Sequence, residues 1–138
     1  MEWEKDGFII SDCKDKIDFE KICSLLGNTY WAKDRPAELI RKSIDNSLCF
    51  SILNKSGQIG FGRVVTDYSV FAWIADIIID PEFRGLGLGK FLMETIINHP
   101  LVPKNLQLLK TKDAHGLYEQ FGFSNSDCME KRNKPASS

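Results

Sequence analysis

At 138 residues, 43% hydrophobic and 27% charged, the chain is long enough for one domain with a real core and too short for two. A formal net charge of -1 lacks the basic surplus that general nucleic-acid or anionic-membrane binding needs. No stretch approaches the ~18 apolar residues of a membrane span, Met1 to Asp6 has no signal-peptide pattern, and Cys13, Cys23, Cys49 and Cys128 form no C-x-x-C pair. Buried free thiols in a reducing compartment, the cytoplasm, are the expectation.

Phe8-Ile9-Ile10 predicts a first strand at about 7–12. From Lys16 the spacing turns helical, with Phe19, Ile22, Cys23 and Leu26 on one face and Gly27 closing the helix. The polar stretch 28–35 carries two adjacent aromatics, Tyr30 and Trp31. Pro36 suits a first helical position, and Leu39, Ile40, Ser43 and Ile44 give a second helix. Strands at 48–53 and 58–66 form a hairpin around Asn54-Lys55-Ser56-Gly57. A turn at Asp67-Tyr68-Ser69 leads into a strand over 70–80, antiparallel to its predecessor. A helix follows with Leu88, Leu92 and Ile96 four apart, as are Met93 and Ile97. Asn98-His99-Pro100 and Pro103 break the chain before a strand at 106–109. Asp113 can cap a short helix with Ala114, Leu117, Tyr118 and Phe121 on one face; Gly122 ends it, and Phe123 begins a last strand. The order is β-α-α-β-β-β-α-β-α-β, an α/β domain over residues 1–130 with a mixed, mostly antiparallel sheet flanked by helices. A polar tail over 131–138 is expected to fray.

Between the strand ending Ile77-Ile78-Ile79 and the central helix lies Asp80-Pro81-Glu82-Phe83-Arg84-Gly85-Leu86-Gly87-Leu88-Gly89-Lys90. A strand, a glycine turn and a helix start suit phosphate: unpaired N–H groups leave the first helical turn and the dipole favours an anion there. Spacing narrows the ligand. A Walker loop fails, because three residues rather than four separate Gly85 from Gly89-Lys90 and Phe91 replaces the hydroxyl residue. The dinucleotide fingerprint fails at its sixth position, which is Lys90. What fits is Arg-x-x-Gly-x-Gly, read as Arg84, Gly87 and Gly89. That pattern resembles the pyrophosphate-binding motif of the GCN5-related N-acetyltransferases (GNAT family). A second motif agrees: Ala114-x-x-x-Tyr118-Glu119-x-Phe121-Gly122-Phe123 is similar to the family's downstream helix, with Thr111 where an Asn is usual.

The resemblance implies acetyl-CoA as co-substrate and direct transfer of its acetyl group to a primary amine. It assigns the pyrophosphate to Arg84, Gly85, Leu86, Gly87, Leu88, Gly89 and Lys90, and further coenzyme contacts to Thr111, Ala114 and Tyr118. The pantetheine arm would lie where the strand carrying Ile77, Ile78 and Ile79 splays from the strand at 106–109, with an amide near Ile78 polarising the thioester. Lys110 and Lys112 are expected near the phosphates.

Amine acetylation needs a base for the ammonium and an acid for the departing thiolate. The resemblance gives the acid role to Tyr118. For the base, Asp76 stands alone in an apolar strand, where burial would raise its pKa; an Asp bonded at a bulge is the equal alternative. His115 is a second candidate, and Asp67 is a turn residue before it is a substrate contact. Tyr30, Trp31, Arg35, Arg63 and Trp73 are the expected acceptor contacts, with a carboxylate on the acceptor suited to either arginine. Expected partners are a small-molecule amine and, in assembly, room for a homodimer, with no nucleic acid and no membrane. The rival readings are a catalytically idle acyl-CoA-binding module and a peptide or protein N-acetyltransferase.

Overall fold

The strands lie side by side in chain order, with two helices between the second and the third and a single crossover helix before the last. The computed structural model describes residues 1–133. β1 (Glu2–Lys5), β2 (Phe8–Ser11), β3 (Leu48–Asn54), β4 (Gly57–Thr66), β5 (Ala72–Ile79) and β6 (Gln107–Leu109) form one sheet in that order. Every neighbouring pair is antiparallel except β5 and β6, which are parallel. The helices are α1 (Phe19–Gly27), α2 (Ala37–Asp45), α3 (Leu88–Ile97) and α4 (His115–Glu119).

Two ends differ from the sequence expectation. The first strand is a hairpin of two, closed by Asp6 and Gly7 at φ 52° and 83°, the pair of positive φ values that a tight two-residue turn demands. At the other end no strand follows α4 among the described residues. From Ser124 to Asp127 the chain is polar without alternation, so it offers no apolar face to pair and bury. The expected tail lies outside the described residues from 134 on. The thiols are also less buried than expected: Cys49 is in the core, where burial pushes its thiol up to about 11, but Cys13 and Cys128 are exposed.

Side chains from the two faces of the sheet enter separate cores. On one face Phe50, Ile52, Val64, Ala72 and Ile74 pack with Leu88, Leu92, Met93 and Ile96 of α3. On the other, Cys49, Phe61 and Ile78 meet Ile22, Leu25 and Leu26 of α1 and Ile40 and Ile44 of α2. Each fully buried aliphatic or Phe side chain contributes roughly 1.5–3 kcal/mol, which explains why the apolar spacing of these helices read correctly.

Two irregularities in β5 make the cleft. In its pairing with β4, Arg63 faces Ala75 and Phe61 faces Ile78, leaving Gly62 opposite both Asp76 and Ile77. That is a β-bulge, with Asp76 at φ 54°. Gly62 is needed here, because a Cβ on it would stand 2.9 Å from Ile77 Cδ1 and 3.1 Å from Ile96 Cδ1. On the other edge, β5 pairs with β6 only from Ala72 to Ile74, then runs on to Ile79 without a partner.

Candidate active site

The cleft is the space left where β6 leaves β5. It has a volume of about 760 Å³, and its walls include Ile74 to Ile77 of β5, Leu109 to Ala114 after β6, Tyr118 of α4, and Tyr30, Trp31 and Arg35 from the α1–α2 loop. All five expected acceptor contacts, Tyr30, Trp31, Arg35, Arg63 and Trp73, therefore share one cavity with Asp76, Thr111, Ala114 and Tyr118.

Unpaired backbone in such a slot wants a ligand's polar groups. Which amides are free follows from register. Asp80 N donates to Ile59 O at 2.7 Å, and Ile78 lies two residues back opposite Phe61, so the Ile78 amide also points at β4. Ile77 and Ile79 turn the other way, toward the cleft. The amide expected near Ile78 is therefore that of Ile77 or Ile79, while Ile78 faces β4 with its backbone and buries its side chain under α1 and α2.

At the far end of β5, Asp80 caps the turn Pro81–Phe83, accepting from Glu82 N at 3.0 Å, and its other oxygen holds Lys21 Nζ at 2.5 Å. Gly85 and Gly87 both have positive φ, 82° and 77°, and Gly87 caps α3 in the left-handed region. A Cβ on Gly87 would meet nothing within 4 Å, so the space above the cap is open to a ligand. Phe91 N bonds Gly87 O at 3.0 Å, which makes the amides of Leu88, Gly89 and Lys90 the first-turn donors without helical acceptors. These residues fit a pyrophosphate. Lys110 and Lys112 do not join them: Lys110 pairs with Glu130, and Lys112 sits 5.4 Å over the Tyr30 ring, both at the cleft.

Asp76 is committed to three donors. Trp31 Nε1 donates to Oδ1 at 3.1 Å, while Arg35 Nη1 and Arg63 Nε both donate to Oδ2 at 2.9 Å. Arg63 Nη1 also donates to Ser47 Oγ at 3.1 Å. Burial pushes the Asp76 carboxyl up, but the two guanidiniums outweigh it and hold it below its ordinary value. The expected rise toward a useful base is thus overturned, because the sequence did not place two cations on the carboxylate. Asp76 is a positioning residue that ties the Trp31–Arg35 loop to the bulge.

Tyr118 lies half-buried against the α3 core, with its ring edge-on to Phe123 at 6.3 Å. Burial, helped by the nearby Asp113 carboxylate, pushes its phenol up, so it keeps its proton at neutral pH. Thr111 Oγ1 accepts from Ala114 N at 3.0 Å and fixes the approach to α4; Asp113 makes no such cap. His115 is exposed and lines a second cavity of about 460 Å³ along β6, which shares Leu109 to Thr111 and Tyr118 with the cleft. Asp67 accepts from Ser69 N, Val70 N and Phe71 N and is a turn residue. The sequence reading missed Asp113, Glu130 and Arg132 as cleft residues; the neighbours of Thr111 were a usable signal for the first, whereas nothing local marked the others.

Residues 45–125 match the acetyltransferase (GNAT) domain family. The uncharacterized N-acetyltransferase ycf52 of Gracilaria tenuistipitata var. liui is 41% identical over 113 residues, which are 77% of this chain and 60% of that protein. The protein of the same name from Pyropia yezoensis is 30% identical over 127 residues, 86% of this chain and 71% of its own. The chain thus spans roughly two thirds of the length of these relatives. A solved Xanthomonas campestris pv. campestris structure, described as belonging to the GNAT family, superposes with a TM-score of 0.87 at 36% identity, over 91% of this chain and 93% of that one. Sheet order, helix placement and sequence agree over most of the chain, and it belongs to the GNAT family of acetyltransferases.

Proposed function

We propose that this chain transfers the acetyl group of acetyl-CoA, by direct attack, to the primary amine of a small molecule. The observation that carries the reading is the unpaired stretch of β5 from Ala75 to Ile79, which leads from the acceptor cavity to the open glycine cap of α3. Acetyl-CoA supplies an activated acyl thioester. Leu88, Gly89 and Lys90 amides would hold its pyrophosphate, and the Ile77 or Ile79 amide would donate to the carbonyl oxygen as negative charge develops on it. One such donor is worth on the order of 3 kcal/mol in the barrier.

The amine nitrogen forms the new C–N bond as the C–S bond breaks, the amine loses a proton, and Tyr118 gives its own to the leaving sulfur. With Asp76 committed to its two arginines, water takes the amine's proton in this reading. The free, widely spaced cysteines support the cytoplasm as its compartment.

Thiol release on mixing the protein with acetyl-CoA and a panel of amines tests the proposal. Turnover on small amines is the expected result. Binding of CoA without turnover would support an idle acyl-CoA module, and activity confined to peptides would move the acceptor to a protein.

A further inference from the structure

The cleft runs against the charge of the chain. The whole protein carries a formal net charge of -1, yet Arg35, Arg63, Lys110, Lys112 and Arg132 line the cavity against only Asp76, Asp113 and Glu130. The carboxylates are shared unevenly. Asp76 Oδ2 takes both Arg35 and Arg63, and Glu130 takes both Lys110 and Arg132. Lys112 has an aromatic ring for a neighbour and no carboxylate partner among the described residues. The Asp76 cluster is the telling one, because it is withdrawn from water: side-chain exposures are 3% for Asp76, 14% for Arg63 and 25% for Arg35. Two guanidiniums on one carboxylate leave a positive charge unbalanced in a poorly solvated wall, a costly state unless an anion completes it.

We infer that the acceptor is an amine that also carries an anionic group, a carboxylate or a phosphate, which docks against Arg35 and Arg63. The inference rests on the acetyl-transfer reading of the same site. Arg35 has used one nitrogen and Arg63 two, so each keeps N–H groups for a second anion, and guanidinium is the donor best matched to planar or tetrahedral oxyanions. The placement suits a small molecule. Arg63 pairs with Ala75 in the sheet, two residues from the Ile77 amide, so the anion would sit only a few bonds from the reacting amine. Tyr30 and Trp31, packed edge to face at 5.1 Å, cover the body between the two groups.

Matched probes test this: phenylalanine against phenylalaninamide, and phosphoethanolamine against ethanolamine, in thiol-release assays. The anionic member of at least one pair should have the higher kcat/KM by roughly 10- to 100-fold, and Arg35→Gln should shrink that ratio toward one, whatever it does to the rate of the neutral member. The carboxylate and phosphate arms separate the two sources. Neutral members as fast as their anionic partners, or a gap that survives in Arg35→Gln, would overturn the inference while leaving acetyl transfer standing. The same pairs titrated calorimetrically into the CoA complex read the preference without turnover. Tighter binding of an anionic member supports the inference even in an idle protein, and equal or absent binding of both members of both pairs refutes it.

Discussion

At the α3 end of the cleft the chain offers its backbone: three amides of a helix start, two glycines at positive φ and open space above the cap. At the α1–α2 end it offers side chains drawn from three distant segments, with Trp31 and Arg35, Arg63, and Asp76 joined in one buried cluster. The first arrangement tolerates change in any side chain that leaves the backbone path alone. The second is a network in which each member restrains the others, so a single substitution spreads. A donor held by backbone at one end and an acceptor chosen by side chains at the other allow the acceptor to change while the donor stays the same.

The largest break should come at the glycine cap. Gly87→Val puts a branched side chain where the pyrophosphate is expected, and calorimetry should find CoA binding lost. The left-handed φ of 77° adds strain of about 1–2 kcal/mol, within the ~5–15 kcal/mol by which domains are stable, so unfolding should remain cooperative. Unchanged affinity in a folded variant would end the assignment of this end to the coenzyme.

Next in size is Tyr118→Phe, which removes the proton donor from the middle of the cleft. Turnover should fall roughly 10²-fold with CoA affinity unchanged, whereas a rate within about twofold of wild type would make Tyr118 a packing residue only.

Asp76→Asn sharpens the contrast from the other end. Asn also accepts the left-handed backbone, so the bulge is spared, but the arginines lose their shared charge. Stability should drop by about 3–5 kcal/mol, as for a buried pair deprived of one member, and the acceptor KM should rise near 10-fold with that for CoA unmoved. The pH dependence follows from the lowered carboxyl. Its folded pKa lies below the ordinary 3.8, so the stabilisation is complete above that value and fades as pH falls through it toward the folded one. Denaturant titrations below pH 4 should show the wild type losing more than the variant. Smallest of all should be Arg84→Ala, a several-fold loss of CoA affinity, because backbone donors at that end do most of the holding.

How far the sequence could be read follows the same division. The phosphate turn was legible because its glycines and its helix are consecutive, and the cavity's aromatic and basic residues were found by their position in loop and hairpin. The state of Asp76 was not, since Arg35 and Arg63 lie 41 and 13 residues away and only the fold brings them to it. Which amides of Ile77, Ile78 and Ile79 face the cleft was equally out of reach, because a bulge just before them resets the strand. The N-terminal hairpin is a different kind of miss: Asp6-Gly7 between Trp3 and Phe8 is a local turn signal that a closer reading recovers.

The bulge at Asp76 also works as a change of reading frame. Ahead of it, even-numbered residues such as Ala72 and Ile74 face the α3 core; beyond it, Ile77 and Ile79 do, and the even-numbered Ile78 crosses to the α1–α2 side. Deleting this one residue would restore regular pairing with β4 and leave every downstream side chain on its present face, since Ile78 already stands opposite Phe61 and Ile79 opposite Gly60. In β5, then, the extra residue serves the site and not the sheet: Asp76 gathers Trp31, Arg35 and Arg63 at the point where pairing with β4 is interrupted. Natural variants of this domain that lack the extra residue should keep the sheet and lose the cluster of Trp31, Arg35 and Arg63.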